Sequence, residues 1–317
     1  PHSQNIHGKD VDCLDVYCDL MKKDYEKKGG DGHEFSCPYE EQILITRINA
    51  ADARGPQWAR AQASKKILER PPEKDEFCMQ IDSHMDFVHD FDTKMMDMWA
   101  QTDNEYGILS TYVTATENLP LFEGPNARGV NNLHEVPHLC MITLHGQHEM
   151  PRNWGTKCAR SLPHPKLTNA IWGAGLSFSK CHAERKVPYD PHLPYIFDGE
   201  EFSRSVRFFT WGYDIYTPHR VFVVHDYTNS QKDPVHFAWT SNVGRRKSGG
   251  EEGEDELHPY AVVENDDALK VVDSTRRIRY LLGRLDDTER ADPAAVEAMR
   301  RVQRSRYGLG DRRTLEQ

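Results

Sequence analysis

From Glu76 the chain runs Glu-Phe-Cys-Met-Gln-Ile-Asp-Ser-His, an apolar segment that stops abruptly at a carboxylate and an imidazole two positions apart. A run this short and this apolar predicts a strand over 76–81, buried within a sheet. Alternate side chains of an extended segment share a face, so Asp82 and His84 are expected to emerge together where the strand leaves the sheet and to chelate one divalent cation. A chain that builds such a strand end needs a sheet around it and a ligand beyond it.

The flanking segments supply that sheet. Gln42 to Ile48 reads as a strand, and Ala50 to Glu69 as a helix with Pro56 near its first turn, where the missing N–H costs little. With the strand at 76–81 this gives strand–helix–strand, which predicts parallel pairing through a right-handed crossover. A helix over 92–102 and a strand over 107–114 follow. The segment 119–168, rich in Pro, Asn and His, reads as substrate loops interrupted by one strand at 138–144. Strands at 171–179, 214–217 and 221–225 and a helix at 199–210 complete an α/β domain over 1–243. Residues 1–40 read mainly as loop with a short helix near 11–22. An exposed acidic, Gly-rich stretch at 244–256 separates the domain from two amphipathic helices, 266–282 and 293–307, in a helical C-terminal appendage over 257–317.

Bulk properties narrow the function. A formal charge of −10 over 317 residues leaves no basic stripe for phosphate backbones, which argues against nucleic acid as a partner. No apolar stretch approaches the 18 residues of a membrane span. The seven cysteines form no close Cys-x-x-Cys pair, and Cys78, Cys140 and Cys181 lie in or beside apolar runs. That pattern predicts buried free thiols in a reducing compartment, hence a cytoplasmic protein.

Further residues converge on one chemistry. His225 ends an apolar run, Val221 to Val224, as Asp82 does, so both are expected at the carboxyl edge of a sheet, where α/β folds bind ligands; His225 could equally be a strand-end histidine donating to a carbonyl. Trp172-Gly173-Ala174-Gly175 suggests either close backbone approach to a ligand or a plain β-bulge. Asp198, Glu200 and Glu201 cluster at a helix entry, where the helix dipole alone can account for carboxylates. Arg54 and Arg60 are either anion contacts or exposed helix charges. Asp86, His89, Asp90 and Asp92 admit a two-metal phosphoesterase reading, although Asp92-Thr93 also makes a natural helix start.

Ala53-Arg54-Gly55-Pro56-Gln57-Trp58-Ala59-Arg60, Asp82-Ser83-His84, Trp172 to Phe178, His225-Asp226-Tyr227 and the terminal Tyr307 to Gln317 together resemble the Skp1-type (hydroxyproline) polypeptide N-acetylglucosaminyltransferases. The resemblance covers about Glu40 to the end, with a more distant similarity to the mucin-type GalNAc-transferases. It implies a GT-A fold, a Rossmann-like mixed sheet with flanking helices, here without its opening strand–helix–strand unit because the family's Ser-Tyr-Arg-Asp-like segment is missing. It implies retaining transfer of GlcNAc from UDP-GlcNAc to a protein hydroxyl, with a Skp1-like acceptor or, alternatively, Thr/Ser acceptors in the secretory pathway. Mn²⁺, or another divalent cation such as Mg²⁺, is implied at Asp82, His84 and His225; in the mucin-type enzymes a Gly-Gly-Glu segment precedes the third metal ligand by about the interval that separates Asp198-Gly199-Glu200 from His225. Glu200 and Asp198 take catalytic positions. Arg54, Arg60, Ser83, Trp172, Gly173, Ala174, Gly175 and Glu201 fall on the substrate side.

Overall fold

The computed structural model describes residues 2–5, 11–49, 52–73, 75–122, 135–145, 150–154, 157–160, 162–168, 171–228 and 265–316. The sequence-predicted acidic loop at 244–256 lies outside them. The strands are β1 (His2–Asn5), β2 (Thr46–Asn49), β3 (Phe77–Ile81), β4 (Met85–Phe87), β5 (Gly107–Thr111), β6 (Thr114–Ala115), β7 (Glu135–His138), β8 (Ile142–His145), β9 (Met150–Asn153), β10 (Lys157–Arg160), β11 (Lys166–Leu167), β12 (Leu176–Lys180), β13 (Asp214–Thr217) and β14 (Val223–His225). The helices are α1 (Cys13–Lys27), α2 (Pro56–Glu69), α3 (Phe91–Ala100), α4 (His182–Lys186), α5 (Glu200–Thr210), α6 (Asn265–Leu281), α7 (Asp287–Ala291) and α8 (Pro293–Arg304).

A five-stranded mixed sheet in the order β11-β13-β5-β12-β3 forms the centre, with β13 parallel to β5 and β12 antiparallel to both β5 and β3. The architecture is a mixed α/β fold consistent with a Rossmann-like class. The period of two sorts β3 between two cores. Phe77, Met79 and Ile81 pack with Leu109, Leu176 and Phe178 against Met95, Met98 and Trp99 of α3. Those three α3 residues recur at helical spacing, and the Trp99 indole N–H donates to the Gly107 carbonyl at 2.8 Å. On the opposite face Ile108, Trp172, Ala183, Val187 and Phe208 pack under α2, α4 and α5. Cys78 and Gln80 take this second face, and the same alternation directs Asp82 toward α2 and α5.

Those two helices share a start signal. Gly55 (φ 84°) caps α2 ahead of Pro56, and Gly199 (φ 110°) caps α5 ahead of Glu200. Both dihedrals lie where an L side chain is strained, which is the local reason for glycine in Arg54-Gly55-Pro56 and Asp198-Gly199-Glu200.

Several expectations are corrected. The strand read at 42–48 shrinks to Thr46–Asn49 and pairs in parallel with β1, and β3 pairs antiparallel with β12, so no crossover joins the two in one sheet. Thr46, Arg47 and Asn49 make β2 too polar for a central position. Residues 1–40 were read mainly as loop with a short helix near 11–22; that helix is present and longer, as α1, and β1 and β2 on either side of it pair in parallel. The strand at 138–144 divides into β7 and β8, and β12 begins only at Leu176, after the two glycines that weaken an extended segment. The C-terminal helices are present and extended by α7. They dock through Ile278 against Met150, Leu193 and Ile196, and through the Arg277–Asp190 ion pair at 2.7 Å. The tail closes on α5: Gly310 N–H donates to the Thr210 hydroxyl at 2.8 Å, Arg312 N–H to the Thr210 carbonyl at 3.0 Å, and Arg313 pairs with Asp214 at 2.8 Å.

The cysteine reading is overturned. Cys78 is bonded to Cys181 and Cys18 to Cys37, while Cys140 is free but exposed. Cys78 and Cys181 sit in apolar strand surroundings because β3 and β12 are neighbours, which chain position alone does not reveal. The Cys78–Cys181 bond spans 103 residues. Replacing both by serine is expected to lower the unfolding free energy by about 4 kcal/mol in urea titration. A non-reduced peptide digest should show the linked pair; two alkylatable thiols there under non-reducing denaturation would refute it.

Candidate functional site

The strand β3 ends at Ile81, and the next three residues turn a corner between two sheets. His84 takes φ 60°, a left-handed conformation in which histidine is enriched among non-glycine residues, and the chain resumes as β4. Strand β4 pairs antiparallel with β14 in a separate three-stranded sheet, setting His225 opposite Met85. Asp226 N–H donates to the His84 carbonyl at 2.9 Å, and the His84 and His225 rings lie edge-on with centroids 6.4 Å apart. Residues 82–84 are therefore not an unbroken extended segment; a corner and a cross-strand pairing bring the histidines together instead. The Tyr227 ring lies 4.4 Å from His225, and its hydroxyl donates to the Val113 carbonyl at 2.8 Å.

Asp82 faces the helices, as the alternation along β3 requires. Arg60 of α2 donates to Asp82 Oδ1 at 2.5 Å and to Glu200 Oε1 at 2.5 Å. The Glu200 side chain is 3% exposed and that of Asp82 39%. Burial opposes charge on the Arg60 guanidinium, but Glu200, Tyr189 and Asp82 outweigh it and raise its pKa. Burial also lifts the Glu200 carboxyl above its ordinary range, against the pull of Arg60.

Glu201, the next residue, points elsewhere. Its Oε1 accepts the Ala174 N–H at 2.8 Å, and its Oε2 accepts the Tyr112 hydroxyl at 2.6 Å and the Asn153 amide at 3.5 Å. Burial pushes this carboxyl up to about 7, with the Tyr112 and Ala174 hydrogen bonds opposing. The backbone held by Glu201 runs past Asp82: a Cβ on Gly175 would lie 3.5 Å from Asp82 Oδ2, an ordinary contact that leaves glycine sterically unforced by the protein itself.

The remaining sequence-predicted residues are spread around this centre. Ser83 is exposed, with Oγ 3.1 Å from His84 Nδ1. Asp198 pairs with Arg152 at 3.1 Å. Exposed Arg54 lies 5.4 Å from the Trp58 ring, and its carbonyl accepts Tyr195 N–H at 2.6 Å. The Trp172 side chain is fully buried, its indole N–H donating to Ser177 at 3.0 Å, and a Cβ on Gly173 would meet Leu139 at 2.8 Å. His89 pairs with Asp90 on the surface, and Asp92 accepts the Thr93 N–H at the start of α3. Tyr112, Asn153 and Gln80 were not singled out in the sequence; each meets its partner from at least 48 residues away, and no local pattern marks it.

One carboxylate and two imidazoles at a common corner suit Mn²⁺ better than Mg²⁺, which prefers an all-oxygen shell. The three side chains share the corner without being gathered round one point. Among the described residues only Cys18, Cys37 and Glu40 bring three such ligand atoms within 4.8 Å of one another, and both of those sulfurs are in a disulfide.

Carboxylates and imidazoles thus stand near the strand ends of a mixed sheet, where α/β folds bind ligands. The family model described as Glycosyltransferase (GlcNAc) matches residues 9–317, and the chain belongs to that family. No curated protein matches the sequence.

Replacing Arg60 by Met leaves Glu200 buried beside Asp82 with no bonded counter-charge. The expected loss is about 3–5 kcal/mol of unfolding free energy, read by chemical denaturation, and an unchanged midpoint would refute the bridge. Glu201 generates a pH dependence. Unfolded, its carboxyl ionises at the ordinary 4.5; folded, at about 7, so the folded chain holds the extra proton between these values. Its contribution to stability is therefore full below 4.5 and falls by about 3 kcal/mol as pH rises through 7. Comparing the wild type with Glu201→Gln by denaturation from pH 4.5 to 8 should show that slope removed.

Proposed function

We propose that the chain is a divalent-metal-dependent retaining transferase that moves GlcNAc from UDP-GlcNAc to a polypeptide hydroxyl, most closely the hydroxyproline of a Skp1-like acceptor. Membership of the GlcNAc glycosyltransferase family establishes the sugar-transfer class. The observations that support the finer reading are that β3 ends at Asp82 against Gly175 and that the corner after it brings His84 beside His225.

Asp82, His84 and His225 would hold the cation, most suitably Mn²⁺. When bound, it would supply Lewis-acid stabilisation of the charge that builds on the departing diphosphate. The protein's own residues do the rest. Gly175 brings bare backbone up to Asp82, and Glu200, set by Arg60, presents a carboxylate from the first turn of α5. Ser83 and Arg54 are the remaining donor-side groups, and Asp198 and Glu201 flank Glu200.

Among the described residues no helix is long and apolar enough to cross a membrane. A second reading concerns the acceptor. The cytoplasmic expectation rested on free thiols, and two disulfides favour an oxidising compartment instead, where Thr/Ser acceptors are the alternative.

Incubation with Mn²⁺ and UDP-GlcNAc is expected to release UDP slowly without acceptor, and Glu200→Gln and His225→Ala should each reduce that release at least about a hundredfold. Release that is indifferent to chelation and to His225→Ala would remove the metal from the reading. Phosphomonoester turnover with no use of UDP-sugar would sink the transferase assignment in favour of the phosphoesterase.

A further inference from the structure

Residues 172–174 belong to no strand, yet their backbone polar groups are held by five side chains, among them Asn153, whose amide donates to the Trp172 carbonyl at 3.3 Å. Trp172 N–H donates to the Ser205 hydroxyl at 2.7 Å, and Gly173 N–H to the Ser110 hydroxyl at 2.9 Å. The Ser110 hydroxyl returns a bond to the Gly173 carbonyl at 2.9 Å, and Gln80 donates to the Ala174 carbonyl at 2.8 Å. Ala174 N–H goes to Glu201. Glu201 is the one ionisable group in the set, and an N–H bond to a charged acceptor is about twice as strong as a neutral one.

Glu200 and Glu201 are adjacent in the first turn of α5 but reach opposite sides of one contact. Glu200 holds Arg60 and through it Asp82; Glu201 holds Ala174 and through it Gly175. The two sides stand in packing contact, a Cβ on Gly175 lying 3.5 Å from Asp82 Oδ2. Both oxygens of Glu201 are engaged by protein donors, so its influence on Asp82 runs through the backbone it holds.

We propose that Glu201 is a positioning residue: from the first turn of α5 it fixes the Trp172–Gly175 backbone against Asp82, the residue read above as a ligand on the donor side. This rests on the transferase reading above. Tyr112 and Asn153 keep the carboxylate aimed, from the end of β5 and from β9. Loss of the carboxylate frees Ala174 N–H and lets the segment drift from Asp82, which weakens donor binding and leaves the groups at the reacting centre in place.

The test combines two readouts on the whole chain. In UDP-GlcNAc hydrolysis with Mn²⁺, Glu201→Ala should raise the donor KM about tenfold with kcat within about threefold of wild type, the size expected for one lost charge-assisted bond. Glu201→Gln keeps an acceptor for Ala174 N–H and should restore KM to within about threefold, a rescue that bulk stability does not predict. By hydrogen exchange, the peptide covering 172–175 should exchange faster in Glu201→Ala and as wild type in Glu201→Gln. If Glu201→Ala does not fold, Tyr112→Phe takes its place and should raise KM about two- to threefold with the same exchange signature. A wild-type KM, or unchanged exchange at 172–175, overturns the proposal. If the wild type turns over no UDP-GlcNAc, the transferase reading fails on its own, and the exchange comparison still decides whether Glu201 holds the segment.

Discussion

A single guanidinium ties three pieces of the chain together. Arg60 reaches from α2 to the end of β3 and to the first turn of α5, and the nearly buried Glu200 depends on it for a bonded counter-charge. Two carboxylates facing each other in a buried setting repel and seek protons; with Arg60 between them one can stay nearly buried and the other turn toward solvent. The positions of α2 and α5 on their common face of the sheet are thereby coupled to the position of Asp82. The packing of Ala61, Trp172 and Phe208 beneath the same helices makes that coupling rigid.

The first turn of α5 shows how adjacent residues of one type acquire different work. Successive helical positions are rotated by about 100°, so Glu200 and Glu201 see different neighbours: a cation for the first, and for the second only neutral donors. The same burial that both suffer is relieved in one by charge and in the other only by hydrogen bonds. Gly199 makes this possible by letting the chain enter the helix at φ 110°.

Much of the frame was legible in the chain itself. The apolar Phe77 to Ile81 is a strand because its alternate faces both meet apolar or paired partners, and Met95, Met98 and Trp99 announce the helix that covers one of them. His225 was expected to share a sheet edge with Asp82 because each ends an apolar run; β14 instead lies in a separate sheet and meets His84 across the corner, which was not legible: a left-handed histidine carries no local signal, and an extended reading of 82–84 is the natural default. The disulfides escaped for the opposite reason. Cys78 and Cys181 each look like an apolar filler, and only the antiparallel pairing of β3 with β12 brings them to bonding distance. Arg60 was legible as a charge of interest but not as a bridge, since its partners lie 22 and 140 positions away.

The terminal residues close over the far end of the helix that begins with Glu200. Gly310, Arg312 and Arg313 occupy the Thr210 carbonyl and hydroxyl, groups that a helix end ordinarily leaves to water. Helix α5 is thus a short rod clamped at both ends, one by acid–base pairs and the other by the tail. Anything fused or trimmed close to Arg313 bears on a helix whose other end, eleven residues away, carries Glu200 and Glu201, so the placement of an affinity tag is, for this protein, a choice about the geometry of those carboxylates.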